Sequence, residues 1–143
     1  MNAAKVLFAC VHNAGRSQMA AAWFNLLVAP GCAQALSAGT EPGQRVHPEV
    51  VAVMQEVGVE IAGATPQLLT DDLATDCNLL VTMGCGETCP AIPGIEREDW
   101  PLADPKGRTL EEVRAIRDTV RERVEALLAR RGWQRTAEPA AGR

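Results

Sequence analysis

The residues with the clearest potential for chemistry are Cys10, Arg16 and Ser17, which fall within eight consecutive positions. Arginine presents a planar fork of donors that matches a tetrahedral oxyanion, and Gly15 before it lets the backbone approach a ligand closely. Of the five cysteines, only Cys10 has an arginine six positions later. We therefore predict that Cys10 is a nucleophile within an oxyanion-binding loop. That loop comprises Val11, His12, Asn13, Ala14, Gly15 and Arg16.

The form of Cys10 that attacks is the thiolate, and its position favours that form. The apolar run of residues 6–10 predicts a buried strand, and a helix-forming stretch begins at Ser17. A loop that enters a helix exposes unpaired N–H groups at the positive end of the helix dipole. This dipole, Arg16 and the Ser17 hydroxyl all stabilise a thiolate. Asn13 is expected to hydrogen-bond within the loop, whereas His12 either faces solvent or bonds to the loop.

A second candidate group is Asp104, which precedes Pro105 in the polar stretch after Trp100. A carboxylic acid held near the nucleophile can protonate a poor leaving group. Asp-Pro is also an ordinary way to begin a turn, so the dipeptide alone leaves both interpretations open.

A third candidate is the pair Cys85 and Cys89, which follows a predicted buried strand and therefore emerges at the same sheet edge as Cys10. The two histidines are scattered, so the pair has no partners at zinc-ligand spacing and no metal site is predicted. Two glycines and a proline disfavour a regular helix there. Paired thiols beside a reactive thiolate suit disulfide exchange, although buried packing is the alternative. Cys32 and Cys77 are predicted to be structural.

Composition restricts the class of protein. The 143 residues carry a net charge of −4, which argues against a nucleic-acid or membrane-surface binder. Nearly half of the residues are apolar, yet no run is long enough to span a membrane or serve as a secretory signal. The odd number of cysteines indicates reduced thiols, and hence a cytoplasmic protein. We expect one domain over residues 1–133 and a frayed tail over residues 134–143.

The order of the predicted elements indicates the fold. Strands are predicted at residues 6–10, 35–38, 79–83 and 95–100. Helices are predicted at residues 17–28, from Pro48 with Val51, Met54 and Val57 or Gly58 at helical spacing, and after a Thr70 cap. A long last helix is predicted to begin at a Thr109–Glu112 capping box and to carry apolar residues on one face, namely Val113, Ile116, Val120, Val124 and Leu127. Strands alternating with helices predict parallel crossovers and therefore a three-layer α/β domain.

The segment from Val6 to Ala20, with the sequence VLFACVHNAGRSQMA, resembles the phosphate-binding loop of low-molecular-weight protein tyrosine phosphatases. With Gln18-Met19-Ala20 it looks most like the arsenate reductases built on that fold. Three further segments carry the resemblance, namely SAGT at 37–40, VTMGC at 81–85 and DWPLADP at 99–105. The resemblance implies a four-stranded parallel sheet flanked by helices. It also implies that Cys10 is the nucleophile, Arg16 the oxyanion clamp, Ser17 the thiolate stabiliser and Asp104 the acid.

The resemblance further implies a sequence of thiol reactions. Cys10 attacks arsenate, Cys85 attacks Cys10 and releases arsenite, and Cys89 then forms a disulfide with Cys85 that thioredoxin reduces. The resemblance implies no tightly bound cofactor, and phosphate or sulfate are expected to act as analogues of arsenate. Lys106 and Gly107 stand where the phosphatases place aromatic residues, and the chain contains no tyrosine.

Three alternatives remain at this point. The loop resembles that of relatives that use mycothiol and a glutaredoxin-like partner instead of thioredoxin. The same fold also serves phosphatases of small phosphomonoesters, because phosphate and arsenate have the same shape and charge. A non-catalytic arsenic sensor is the third, although pure binding needs no acid at Asp104.

Overall fold

The structure is a computed structural model that describes residues 4–84 and 93–135. These residues form four strands and four helices. In chain order they are β1 (Ala4–Cys10), α1 (Arg16–Leu27), β2 (Ala33–Gly39), α2 (Pro48–Glu56), α3 (Asp71–Thr75), β3 (Leu79–Thr82), β4 (Glu96–Asp99) and α4 (Leu110–Arg131). The strands form one sheet in the order β2-β1-β3-β4, and each neighbouring pair is parallel. The predicted α/β fold with a four-stranded parallel sheet is confirmed.

The central strands β1 and β3 are buried on both faces of the sheet, which explains why β1 is a nearly continuous apolar run. Val6 and Phe8 face the larger core cluster, which also contains residues of α1, α2 and α4. Leu7 and Ala9 face a smaller cluster on the opposite side with residues from α3 and the segment that follows it. Cys10 is the last residue of β1, at the carboxyl edge where ligands of parallel sheets bind.

The last helix follows its sequence signals closely. Thr109 and Glu112 form the predicted capping box at the start of α4, and Gly132 ends the helix with φ +70°. All the apolar positions predicted to face the core are buried, namely Val113, Ile116, Val120, Val124 and Leu127. Thr70 also caps α3 as predicted, since its hydroxyl accepts a hydrogen bond from the Leu73 N–H.

The predicted core face of α2 was only partly right. Met54 is buried as expected, but its buried companions are Val50 and Val53. Val51 is half-buried, and Val57 lies just beyond the helix and is 38% exposed. The helix ends one residue before Val57, and α2 packs on its neighbours through a face rotated by one position from the predicted one.

Element boundaries differ from the predictions at several ends. β1 and β2 are each longer than predicted because Ala4 pairs with Ala33 at the start of both strands. Gln134, at the beginning of the predicted tail, forms a β-bridge with Val28, and residues 136–143 lie outside the described residues. None of the helices in residues 4–84 and 93–135 combines the length and apolarity that a membrane span requires.

Candidate active site

The loop after β1 turns its carbonyl groups away from its centre. Every carbonyl oxygen of residues 10–15 accepts a hydrogen bond from the surrounding protein. The donors to five of these carbonyls are backbone N–H groups at 2.8–3.1 Å. Those of Thr40, Glu41, Gly43 and His47 bond to the carbonyls of residues 10, 11, 12 and 14, and that of Met19 bonds to the carbonyl of residue 15. The segment between β2 and α2 therefore holds the loop along most of its length.

With its carbonyls bonded outward, the loop is left with donors on its inner side. The backbone N–H groups of residues 11–16 have no acceptor within the described part of the chain. Successive free N–H groups in a tight loop form a concave anion site, and the N-terminus of α1 adds its partial positive charge. The geometry of residues 10–16 is therefore suited to an oxyanion.

Arg16 completes this site as a buried guanidinium group with unused donors. Its side chain is only 7% exposed, and Nη1 donates to the Leu102 carbonyl at 3.0 Å. Nη2 lies 3.8 Å from the Asp104 carboxylate, and the buried Nε has no partner among the described residues. A buried donor without an acceptor is costly, so this edge of the fork is suited to an oxyanion.

Cys10 is buried beside the loop and contacts Ser17. Its Sγ lies 2.8 Å from the Ser17 Oγ, and the Asn13 Nδ2 donates to the same hydroxyl oxygen at 2.7 Å. Because Ser17 accepts from Asn13, its own proton is available to the sulfur. Asn13 is fully buried with φ +52°, a left-handed conformation that asparagine tolerates better than most residues. This arrangement stabilises a thiolate and agrees with the expectation that Asn13 holds the loop.

Asp104 approaches the loop from the segment between β4 and α4. Its Oδ1 accepts from the Lys106 N–H at 3.0 Å, which makes a turn, and its side chain is 43% exposed. A Cβ at Gly15 would come within 2.6 Å of the Pro105 Cγ. The absence of a side chain at Gly15 therefore lets the Asp104 turn pack directly on the loop, so both readings of Asp-Pro, turn and acid, are compatible with its position.

The two histidines take different places at the rim. The His12 Nδ1 lies 3.0 Å from the Glu41 carbonyl oxygen, so its ring bonds to the neighbouring segment. Burial lowers the pKa of His47, against the opposing influence of the Asp104 carboxylate, so that its imidazole is neutral at pH 7. His47 therefore adds little positive charge beside Asp104.

Gly84 connects β3 to the predicted cysteine pair. With φ +99°, it lies so close to Arg16 that a Cβ at this position would collide with Nη1. Cys85 and Cys89, which were predicted to take part in the chemistry, lie outside the described residues.

Cys77 and Cys32 have the surroundings of structural residues. The Cys77 Sγ donates to the Ala74 carbonyl, and burial raises the pKa of this thiol, while Cys32 is half-buried before β2.

Several residues of the site were not predicted. Gln18 and Gln67 both hydrogen-bond to Asn13, and Leu102 accepts from Arg16. Gln18 belongs to the motif that carried the resemblance, so its position could have suggested a role. Gln67 and Leu102 act through backbone groups, for which the local sequence gives no signal.

Two classes of site find no support in the described residues. In the ranges 4–84 and 93–135, no group of three or more His, Cys, Asp or Glu side chains is arranged to hold a metal ion.

All five aromatic residues of the chain fall within these ranges, and none stands at the loop. Phe8, Trp23, Phe24 and Trp100 are buried, and Trp133 packs on Phe24. A phosphotyrosine ring would therefore find no aromatic surface to stack on.

Comparison with known proteins links this site to a family. The family model for low molecular weight phosphotyrosine protein phosphatases matches residues 5–137. A glutaredoxin arsenate reductase from Synechocystis sp. is 40% identical over 129 residues, which are 88% of this chain and 97% of the relative.

The solved structures similar to this chain include two arsenate reductases. The thioredoxin-dependent arsenate reductase of Corynebacterium glutamicum is 37% identical, with a TM-score of 0.78 over 90% of this chain. This chain spans only 61% of that solved chain. An arsenate reductase in its phosphate-binding state is 38% identical, with a TM-score of 0.77 over 89% of this chain and 98% of the other.

Proposed function

The chain belongs to the low molecular weight phosphotyrosine protein phosphatase family, and we propose that within it the protein is an arsenate reductase. The observation that carries this proposal is the loop of free N–H groups, with the unpartnered Nε of Arg16, around the Cys10 thiol. Relatives at 37–40% identity that are named arsenate reductases support the choice of reaction. The lack of an aromatic surface at the loop argues against phosphotyrosine as the substrate.

The first chemical step follows from the arrangement of the loop. Three arsenate oxygens accept from the backbone N–H groups and from the free edge of Arg16, which leaves the arsenic atom facing the Cys10 sulfur. The thiolate forms an S–As bond and the opposite oxygen departs. Asp104, whose carboxylate lies on the Nη2 side of Arg16, protonates that oxygen so that it leaves as water.

We assign the electrons for reduction to the cysteines. The Cys85 thiolate attacks the Cys10 sulfur, and the S–As bond breaks with its electron pair remaining on arsenic. Arsenate is thereby reduced by two electrons to arsenite, and the two thiols are oxidised to a Cys10–Cys85 disulfide. Cys89 then attacks Cys85, which frees the Cys10 thiolate and leaves a Cys85–Cys89 disulfide. The contact of Gly84 with Arg16 supports this scheme, because Gly84 precedes Cys85 directly in the chain.

Thioredoxin is the reductant we propose for the Cys85–Cys89 disulfide, in a cytoplasm where thiols are kept reduced. The named relatives differ on this point, since one is a thioredoxin-dependent and another a glutaredoxin arsenate reductase. A second thiol at Cys89 favours thioredoxin, because it carries the disulfide away from the buried Cys10. A mycothiol or glutaredoxin system would instead supply an external thiol to the arsenic adduct.

The test of the function is arsenate-dependent NADPH consumption with thioredoxin and thioredoxin reductase, run beside a mycothiol and a glutaredoxin system. Hydrolysis of an aryl phosphate is measured on the same protein. Reduction of arsenate faster than phosphate hydrolysis is the expected result. Phosphatase turnover that exceeds arsenate reduction in every system would replace the proposal with a phosphatase of small phosphomonoesters. Tight arsenite binding without any turnover would indicate a sensor.

Asp104→Asn should slow the first chemical step by ~10²–10⁴-fold, the usual contribution of a general acid, with little loss of anion affinity. The amide keeps the shape of the side chain and can still accept from Lys106, but it has no acidic proton to give. Single-turnover formation of the arsenic adduct, beside a sulfate titration, separates the two effects. Asp118→Asn, an exposed site on α4, is the matched control. An unchanged first step would leave Asp-Pro as a turn only.

Cys89→Ser should complete one turnover and then stop as a Cys10–Cys85 disulfide, because Cys10 and Cys85 alone suffice to release arsenite. Cys85→Ser should stop earlier, at the Cys10–arsenate adduct. Mass spectrometry after arsenate treatment, with free thiols blocked, identifies each species. If an external thiol resolves the adduct, both variants will continue to turn over with mycothiol or glutaredoxin. A Cys89→Ser protein that cycles at the full rate with thioredoxin would refute the relay.

A further inference from the structure

A chain of buried hydrogen bonds leads from Gln18 to the nucleophile. The Gln18 Nε2 donates to the Asn13 carbonyl oxygen at 3.1 Å and to the Asn13 Oδ1 at 3.2 Å. Asn13 donates to Ser17, and Ser17 lies against the Cys10 sulfur at 2.8 Å. Gln18 is 7% exposed, and Asn13 and Ser17 are fully buried. Water therefore does not compete with these hydrogen bonds, and each one is stronger for it.

Two backbone groups fix the direction of these hydrogen bonds. The Gln67 N–H, which can only donate, lies 2.9 Å from the Asn13 side chain and identifies the atom facing it as Oδ1. The Asn13 carbonyl can only accept, so Gln18 must turn its NH₂ group towards it. Asn13 is thereby left with Nδ2 facing Ser17, and the Ser17 hydroxyl is left with its proton for Cys10.

We propose that Gln18 is a positioning residue that, through Asn13, aims the Ser17 hydroxyl proton at the Cys10 sulfur. Its single NH₂ group bonds to both oxygens of Asn13, which the left-handed backbone at φ +52° brings to the same side. The inference rests on the proposed function only in taking Cys10 as the nucleophile, and it does not depend on which oxyanion reacts.

A hydrogen-bond acceptor in place of the Gln18 donor should reverse the direction of the hydrogen bonds from Asn13 to Ser17 and from Ser17 to Cys10. In Gln18→Glu, a carboxylate would face both oxygens of Asn13, and two acceptors repel each other. Rotation of the Asn13 amide presents Nδ2 to the carboxylate, and this charge-assisted hydrogen bond replaces the neutral one that the Gln67 N–H loses when Oδ1 turns away. Oδ1 then faces Ser17, which donates its proton to Asn13 and no longer to Cys10. The thiolate loses a charge-assisted hydrogen bond.

The readout is the rate of alkylation of Cys10 by iodoacetamide across pH, resolved by peptide mass spectrometry without arsenate present. Gln18→Glu should lower the rate at pH 7 by about tenfold or more, the scale of a hydrogen bond to a charged acceptor. Gln18→Met, which is neutral and of similar length, should lower it by about 2–10-fold. Gln55→Met, at a surface site on α2, should leave the rate unchanged.

Repeating both substitutions in a Ser17→Ala background isolates the relayed part of the effect. Without the hydroxyl, Gln18→Met should no longer alter the Cys10 rate, and Gln18→Glu should keep only the direct repulsion of its carboxylate. Equal fold-changes in the two backgrounds, or no change with serine present, would overturn the proposal. If Gln18→Glu fails to fold, the comparison of Gln18→Met with and without Ser17→Ala tests the proposal by itself. Because the assay needs no arsenate, its outcome is separate from that of the proposed function.

Discussion

Cys10→Ser should reduce the rate of arsenate reduction by ~10⁶-fold or to the detection limit, the scale of loss when a covalent enzyme loses its nucleophile. A serine hydroxyl beside Ser17 is not ionised at neutral pH and cannot accept electrons from Cys85 as a sulfur does. The oxyanion loop itself is unchanged, so arsenate and phosphate should still bind. Affinity should be equal or higher, because the negative thiolate that repels the anion is gone.

The control for this prediction is Cys32→Ser, which removes a thiol outside the site and should keep full activity. NADPH consumption measures turnover of both variants, and calorimetric titration with phosphate measures binding. A Cys10→Ser protein that reduces arsenate near the wild-type rate would end the assignment of the nucleophile. Loss of phosphate binding in Cys10→Ser would show instead that the substitution has damaged the loop.

Arg16→Ala should lower the kcat/KM for arsenate by about 10³–10⁵-fold, the range for an arginine that stabilises charge on a transferring oxyanion. The substitution removes the unpartnered Nε donor and the Nη2 group that faces Asp104, and it leaves the Leu102 carbonyl without its donor. Arg16→Lys should recover only part of the loss, since an ammonium group is a point charge without a planar fork. Phosphate titrations in the Cys10→Ser background separate affinity from turnover.

Arg114→Lys provides the matched control for Arg16, because its guanidinium group pairs with Glu56 on the exposed surface of α4. It should not change phosphate affinity. Wild-type affinity in Arg16→Ala would mean that the loop N–H groups hold the anion alone, and that Arg16 serves mainly to hold Leu102. Thermal unfolding of all three variants identifies any loss of binding that comes from unfolding.

Local patterns in the sequence were sufficient to predict the overall fold and to single out the loop of residues 10–16 as a candidate site. The apolar run of β1 predicted a doubly buried strand, and the capping box at Thr109 predicted the start of α4. Cys10 and Arg16 lie on either side of one short loop, so their spacing alone predicts that they share a ligand. These features depend on interactions within a few residues of the chain.

The tertiary structure decided the features that join distant segments. Gln67 orients the Asn13 amide from 54 residues away, and Leu102 holds Arg16 from 86 residues away, in each case through a backbone group that any residue carries. The buried face of α2 was likewise set by its neighbours, because two apolar faces one position apart are both consistent with its sequence. The sequence by itself therefore determined which residues can react, whereas the packing of distant segments determined the direction in which their hydrogen bonds point.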